Sequence, residues 1–152
     1  MFQVNVNENF EYSEISGNIY GPFFVMCNAC SFPAETWWDF PVSVLHMWSD
    51  NIISNLHKKK YTIKLFFMDG PYYIQIKKTI IDNVTIQCYD THKKKRLICE
   101  EVITYKDFIE KIINAIKKTI CFLATKHYSV PEKEMLINSL TLLEEYYQLV
   151  FN

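Results

Sequence analysis

Four short segments of alternating apolar and polar residues follow one another between residues 61 and 103, and a turn signal separates each from the next. Side chains alternate between the two faces of a strand, so this period predicts strands buried on one face. Short turns connect antiparallel neighbours. We therefore predict an antiparallel meander over Tyr61–Ile103, with turns at Met68–Pro71, Asp82-Asn83 and Asp90–Lys95.

Segments with apolar residues at helical spacing precede and follow this meander. Before it, Leu45, Trp48, Ile52 and Leu56 predict a helix over about residues 40–57, which buries Trp48. Asp39 is the expected N-cap of this helix, because Pro41 then falls in the first turn, where a missing N–H costs nothing.

After the meander, two apolar stripes predict an antiparallel helix pair over residues 104–125 and 129–150. Each opens with residues that resemble a capping box, Thr104 with Asp107 and Ser129 with Glu132. Residues 2–6 and 23–27 are predicted strands, and residues 28–40 a loop. A single domain over residues 1–152 results, with an α+β fold of N-terminal strands and one helix, an antiparallel meander and a C-terminal antiparallel helix pair.

The composition is typical of a folded domain outside the membrane. Apolar residues make up 49% of the chain, which is ample for a core. No apolar run approaches the roughly 18 residues that a membrane helix needs. The first residues contain neither a base nor an apolar run, so we expect no signal peptide and a cytoplasmic location.

Catalytic signatures are missing from the sequence. With 3 glycines in the whole chain, a glycine-rich phosphate cradle is excluded, and there is no GxSxG or HExxH pattern. His46 and Asp50 are spaced to touch on one helix face, which we interpret as a surface contact. We therefore predict a protein that is not an enzyme, with no catalytic residues and no cofactor.

Five cysteines, an odd number, are expected to be reduced thiols in a chain without an export signal. Cys27 and Cys30 form a CxxC pair, but no helix start follows them, as a redox site requires. A four-ligand zinc site with Cys88, Cys99 or His92 is conceivable from spacing. We favour the alternative that these are small buried apolar side chains, and we predict no metal.

Charge is distributed very unevenly along the chain. Residues 1–57 contain six acids and no Lys or Arg, and all 16 bases follow residue 57. Such asymmetry indicates a charged partner. Trp37 and Trp38 precede the helix, so one of them can pack inward while the other faces out. An exposed tryptophan beside Glu35 and Asp39 would be an anchor for a protein partner. The predicted partner-binding residues are Glu8, Glu11, Glu14, Glu35, Trp37 and Asp39.

Two basic clusters, Lys58–Lys60 and Lys93–Arg96, each lie near a tyrosine, Tyr61 and Tyr89. Basic patches with aromatic residues can bind nucleic acid, so a nucleic-acid-associated or regulatory protein is the alternative function. The isoelectric point of about 6.4 argues against it, since affinity for phosphates grows with the number of cations presented together.

One stretch resembles a known class of proteins. Trp37-Trp38-Asp39-Phe40-Pro41-Val42, followed by Leu45 and Trp48 and later by Phe67-Met68-Asp69-Gly70, resembles small bacterial immunity proteins of contact-dependent and other polymorphic toxin systems, over residues 35–78. The resemblance implies a cytoplasmic protein that binds one cognate toxin domain, often a nuclease, and blocks it. It identifies no binding residues. Combined with the charge asymmetry, it predicts neutralisation of a toxin through an acidic surface.

Overall fold

A computed structural model describes all 152 residues. The α+β fold class is confirmed: two antiparallel sheets are combined with three helices. The elements are β1 (Gln3–Val6), β2 (Glu11–Ser13), β3 (Asn18–Cys27), β4 (Cys30–Phe32), β5 (Trp38–Asp39), α1 (Pro41–Ile53), β6 (Tyr61–Phe66), β7 (Tyr72–Lys78), β8 (Asn83–Asp90), β9 (Arg96–Thr104), α2 (Tyr105–Thr125) and α3 (Glu132–Phe151).

The predicted meander is confirmed as the sheet β6-β7-β8-β9, with every neighbouring pair antiparallel. Along β6, buried and exposed residues alternate without exception, because one face of the sheet covers the core and the other faces solvent. The register of β8 with β9 pairs Cys88 with Cys99 but Tyr89 with Leu97. The intervening Ile98 is therefore the extra residue of a β-bulge.

In the N-terminal sheet, β3 is the central strand and pairs with β1, β2, β4 and β5. The prediction of a loop over residues 28–40 is wrong, because this segment contains both β4 and β5. Each has only two or three residues, so neither shows a period along the sequence. Their backbone hydrogen bonds to β3 form only once the chain has folded back on itself.

The helices agree with their apolar stripes but differ at their ends. Helix α1 spans Pro41–Ile53 and is shorter than predicted, so the lysines after His57 lie beyond it. Thr104 caps α2 as predicted, since its hydroxyl accepts the N–H of Asp107 at 3.0 Å. The capping box predicted at Ser129 is absent, because α3 begins after Pro131 and has no side-chain cap.

One hydrophobic cluster joins both sheets and all three helices. Trp48 of α1 lies near its centre with 1% exposure, as predicted. Its ring meets Phe23 of β3 at 5.2 Å and Phe67 after β6 at 5.4 Å, and its indole N–H donates to the Phe66 carbonyl at 2.7 Å. Helix α1 therefore holds the two sheets together. None of the helices is both long and apolar enough to span a membrane.

Candidate functional site

Four of the predicted partner-binding acids lie on the surface near the N-terminal sheet. Glu8 precedes β2, Glu11 opens it, Glu14 follows it in the turn to β3, and Glu35 lies in the loop before β5. All four are exposed, and none is within salt-bridge distance of a basic group, since the ion pairs of the chain involve other acids. Their charges are free to act on a partner.

Asp39 lies elsewhere, and its predicted roles as a surface charge and an N-cap are both corrected. Its side chain is fully buried, and the cap position is taken by Phe40. Its two carboxylate oxygens accept the backbone N–H of Phe40 at 2.7 Å and of Asp69 at 3.2 Å. Burial raises the pKa of Asp39, while these two N–H groups oppose the rise. Asp39 therefore ties β5 to the β6–β7 turn.

The two adjacent tryptophans have different surroundings. Trp37, the predicted anchor, packs against the core, and its ring meets Tyr72 edge-on at 5.3 Å. Its indole N–H is buried without an acceptor in hydrogen-bond geometry. Trp38 is half-buried, lies outside the core cluster, and has its ring 5.3 Å from that of Tyr20. Both side chains are half-buried, but only Trp37 packs against the core cluster, so Trp38 is the one that we assign to the surface.

Trp38 belongs to a surface where aromatic rings and carboxylates lie side by side. We call it the acidic aromatic face; it consists of Glu11, Tyr20, Trp38, Phe40 and Asp69. Glu11 is opposite Tyr20 across β2 and β3, and directly opposite residues share one face of a sheet. The Tyr20 ring lies 5.1 Å from that of Phe40, and its hydroxyl donates to Asp69 Oδ2 at 3.4 Å.

The surroundings of Tyr20 at this face raise the pKa of its hydroxyl. Burial raises the pKa of Tyr20, and the negative charges of Asp69, Asp39 and Glu11 raise it further. Neither Glu11 nor Asp69 forms an ion pair with a basic group. The face therefore presents a neutral tyrosine hydroxyl among uncompensated carboxylates, which is the arrangement that a cationic surface would complement.

The sequence indicated Glu11 of this face and left open whether Trp37 or Trp38 faces out, but we did not predict Tyr20, Phe40 or Asp69 from it. Asp69 lies in the Met68-Asp69-Gly70 turn that carried part of the resemblance, so a signal for it was present. Nothing in the sequence indicated that β2 and β5 both pair with β3. That pairing is what brings Glu11 and Trp38 to Tyr20.

The two basic clusters lie at opposite ends of the meander. Lys78, at the end of β7, donates to the carbonyls of Lys58 and Lys59. Tyr72, at the start of β7, lines a shallow cavity with the basic residues of the β8–β9 turn, Lys93, Lys94 and Arg96. Six residue steps of an extended strand separate these ends by about 20 Å. The clusters therefore do not form one continuous basic surface.

His46 and Asp50 approach each other on α1, with Nε2 and Oδ2 3.6 Å apart. The Asp50 side chain is 62% exposed, and the buried Nδ1 of His46 has no hydrogen-bond partner. A general base needs an orienting partner on its second nitrogen. This pair lacks one and carries no argument for catalysis.

The structure gathers cysteines that are far apart in the sequence. The sulfur atoms of Cys27, Cys88 and Cys99 all lie within 4.8 Å of one another. Cys27 and Cys88 are fully buried, and Cys99 is half-buried. The neighbouring thiols of Cys88 and Cys99 lower the pKa of Cys27, whereas the thiols of Cys27 and Cys99 and burial raise the pKa of Cys88. Cys30 faces Cys27 across the β3–β4 turn.

Comparison with known proteins adds no identity to this geometry: no family model, no curated protein and no solved structure matches the chain.

Proposed function

We propose that this protein is a non-enzymatic inhibitor that binds a toxin domain, most simply a nuclease, in the cytoplasm of the bacterium that makes both. The observation that carries the proposal is the acidic aromatic face. In this face, carboxylates without cationic partners lie around Tyr20 and the half-buried Trp38. Tryptophan and tyrosine are enriched among the residues that dominate binding energy at protein interfaces.

A nuclease offers the complementary surface, because it holds its substrate in a cationic groove. An acidic face that enters the groove excludes the nucleic acid, and complementary charge speeds the encounter. Glu8 and Glu14 lie three residues on either side of Glu11, within about 11 Å along the chain. They extend the same charge beyond the face. Inhibition of this kind needs no catalytic group in the inhibitor.

The proposal revises the predicted interface in two respects. Trp38 replaces Trp37 as the anchor, because Trp37 is packed on the core. Asp69, which is exposed, replaces the fully buried Asp39 as the acid contributed by the Trp37–Gly70 region. Glu8, Glu11, Glu14 and Glu35 keep the role predicted for them.

The separation of the basic clusters weighs against the nucleic-acid alternative. Lys58–Lys60 and Lys93–Arg96 are about 20 Å apart along β7, and Arg96 is already paired with Asp90 at 3.2 Å. Each cluster alone neutralises few phosphates, and affinity depends steeply on that number. Retention on heparin at physiological salt would favour the alternative.

The test uses the toxin domain encoded by the reading frame beside this gene. We expect co-expression of the full chain to restore growth of cells that produce this domain, and the two purified proteins to form a complex. Replacing Glu8, Glu11, Glu14 and Glu35 by Gln should slow association and weaken its salt dependence. Glu145→Gln, an exposed acid of α3 without an ion pair, is the matched control and should change neither.

Trp38→Ala should act on the complex differently, by accelerating dissociation about 30-fold, which corresponds to the roughly 2 kcal/mol of an interface anchor. Phe66→Ala, which removes an aromatic ring with 53% exposure on β6, is its control. Unchanged binding in both the glutamine variant and Trp38→Ala would show that another surface carries the interface. Absence of any toxin domain beside the gene would remove the immunity role itself.

A further inference from the structure

Two pairs of cysteines lie on two neighbouring hairpins. Cys27 and Cys30 flank a two-residue turn and are register partners across β3 and β4. Cys88 and Cys99 are register partners across β8 and β9. Residues directly opposite each other in an antiparallel pair have side chains on the same face. The pairs come from different sheets, and three of the four sulfurs already lie within 4.8 Å of one another.

We propose that Cys27, Cys30, Cys88 and Cys99 bind a zinc ion as four thiolate ligands. A zinc ion lies about 2.3 Å from each ligating sulfur, so four tetrahedral sulfurs are about 3.8 Å apart. The three gathered sulfurs need to move by about 1 Å or less to reach that spacing. The fourth ligand would be Cys30, the register partner of Cys27; rotation of its side chain would move its sulfur away from the Ser31 carbonyl, now 3.8 Å distant, toward the other three.

The electrostatics of the cluster suit a cation. The carboxylate that contacts the turn of the first cysteine pair is that of Glu101, whose Oε2 accepts the backbone N–H of Asn28 at 2.7 Å and whose Oε1 is 3.4 Å from the N-terminal ammonium. Zinc binding releases the thiol protons to water, and the two positive charges of the ion offset half of the four negative charges of the thiolates. Thiolate ligands and tetrahedral geometry together select zinc over hard divalent ions.

The backbone around the cysteines is shaped in an unusual way. Asn28 and Ala29 both have positive φ, at 50° and 63°, as a tight two-residue hairpin turn demands. Alanine rarely adopts this conformation, and such strain is concentrated at binding sites. On the other hairpin, the bulge at Ile98 turns the strand immediately before Cys99.

Glu101 supports the site from outside the ligand set. Its Oε2 accepts the backbone N–H of Asn28 at 2.7 Å, so β9 holds the turn of the first cysteine pair in place. Outer groups of this kind commonly orient metal ligands. A bound zinc ion would therefore cross-link the N-terminal sheet to the meander, at a junction with few other contacts between β3 and β9. Its role would be structural, because four protein ligands leave no position for substrate.

The first test measures the metal in the whole protein. The full chain is produced in zinc-containing medium and purified under reducing conditions without chelators or metal-affinity steps. We expect equimolar zinc by elemental analysis. Cobalt(II) added to the metal-free chain should produce thiolate-to-cobalt charge-transfer and tetrahedral d–d absorption that saturates at one equivalent and is displaced by zinc. Neither result depends on a variant that might misfold.

The second test assigns the ligands. Cys99→Ser and Cys30→Ser should each weaken cobalt binding by at least about tenfold, while Cys121→Ser, which alters the exposed cysteine of α2, should leave it unchanged. Cys30 and Cys99 are both half-buried, and circular dichroism checks that the serine variants keep the fold. The proposal is overturned if the wild-type chain carries no stoichiometric zinc and shows no cobalt–thiolate absorption, or if Cys99→Ser and Cys30→Ser leave both the cobalt affinity and the intensity of that absorption unchanged.

Discussion

Replacing Trp48 by Phe tests whether this tryptophan holds the two sheets together through both packing and a hydrogen bond. The phenyl ring can keep the edge-on contacts with Phe23 and Phe67, because those rings meet the indole at 5.2 and 5.4 Å. It cannot replace the indole N–H that donates to the Phe66 carbonyl at 2.7 Å. The substitution therefore removes a buried hydrogen bond and the part of the ring that carries it.

The expected loss has two parts. A buried carbonyl left without its donor costs about 1–3 kcal/mol. If about 40 Å³ of the former indole volume stays empty, the cavity adds roughly 1 kcal/mol, at about 24 cal/mol per Å³. We therefore expect Trp48→Phe to lower the free energy of unfolding by about 2–4 kcal/mol. That is a large share of the 5–15 kcal/mol typical of a domain.

Trp37→Phe is the matched control, since it makes the same Trp-to-Phe change at a position that lies before α1. The Trp37 indole N–H has no acceptor in hydrogen-bond geometry, and its ring is only partly buried. We expect it to cost about 1 kcal/mol or less, because only the cavity contribution remains. The difference between the two variants, about 1–3 kcal/mol, isolates the Trp48 hydrogen bond.

Urea unfolding followed by far-ultraviolet circular dichroism measures both variants without relying on tryptophan emission. Equal slopes with denaturant concentration show that midpoint shifts report stability rather than a change in the unfolded state. The reasoning would be refuted if Trp37→Phe lowered the free energy of unfolding as much as Trp48→Phe or more. The tryptophan that contributes most to stability would then lie before α1 rather than within it.

Two further substitutions test local features of the chain. Ala29→Gly should raise the free energy of unfolding by about 0.5–1 kcal/mol in urea titrations. Glycine adopts the φ of 63° without the strain of about 1–2 kcal/mol that alanine bears there, and this relief exceeds the greater entropic cost of ordering glycine, about 0.5–1 kcal/mol. A loss of stability would contradict the strained turn. Asp39→Asn should remove part of the pH dependence of the free energy of unfolding. Burial raises the folded-state pKa of Asp39, so the wild-type chain loses stability relative to the variant as the pH rises from the ordinary value of 3.8 through the raised pKa. The measurement is urea unfolding of both proteins at a series of pH values. If the free energy of unfolding of the wild-type chain minus that of the variant stays constant or rises with pH, the carboxyl is not desolvated.

The charge asymmetry of the sequence survives folding in part. Glu8, Glu11, Glu14 and Glu35 remain exposed and without ion pairs, whereas Asp50 faces His46. The lysines of the second half do not neutralise the first half by direct contact. Complementarity to a basic partner is therefore a property of the folded surface as well as of the linear sequence.

The meander and the stripes of the helices were predictable from the sequence, because hydrophobic period is a local property that each element carries alone. The alternation over Tyr61–Phe66 and the helical spacing around Trp48 needed no knowledge of partners. Element ends were less well predicted. The N-cap of α3 is Pro131, so the capping box expected at Ser129 does not form. More than one residue near a helix start can occupy the cap position.

Only the tertiary structure decided which residues meet. A period shows that one side of an element is apolar, but it does not show which other element covers it. Asp39 is buried because β5 pairs with β3 under the β6–β7 turn, and the same pairing brings Trp38 to Tyr20. Cys27 and Cys88 touch because two hairpins from different sheets pack together. Contacts of this kind depend on long-range pairing, for which a single sequence holds no local signal.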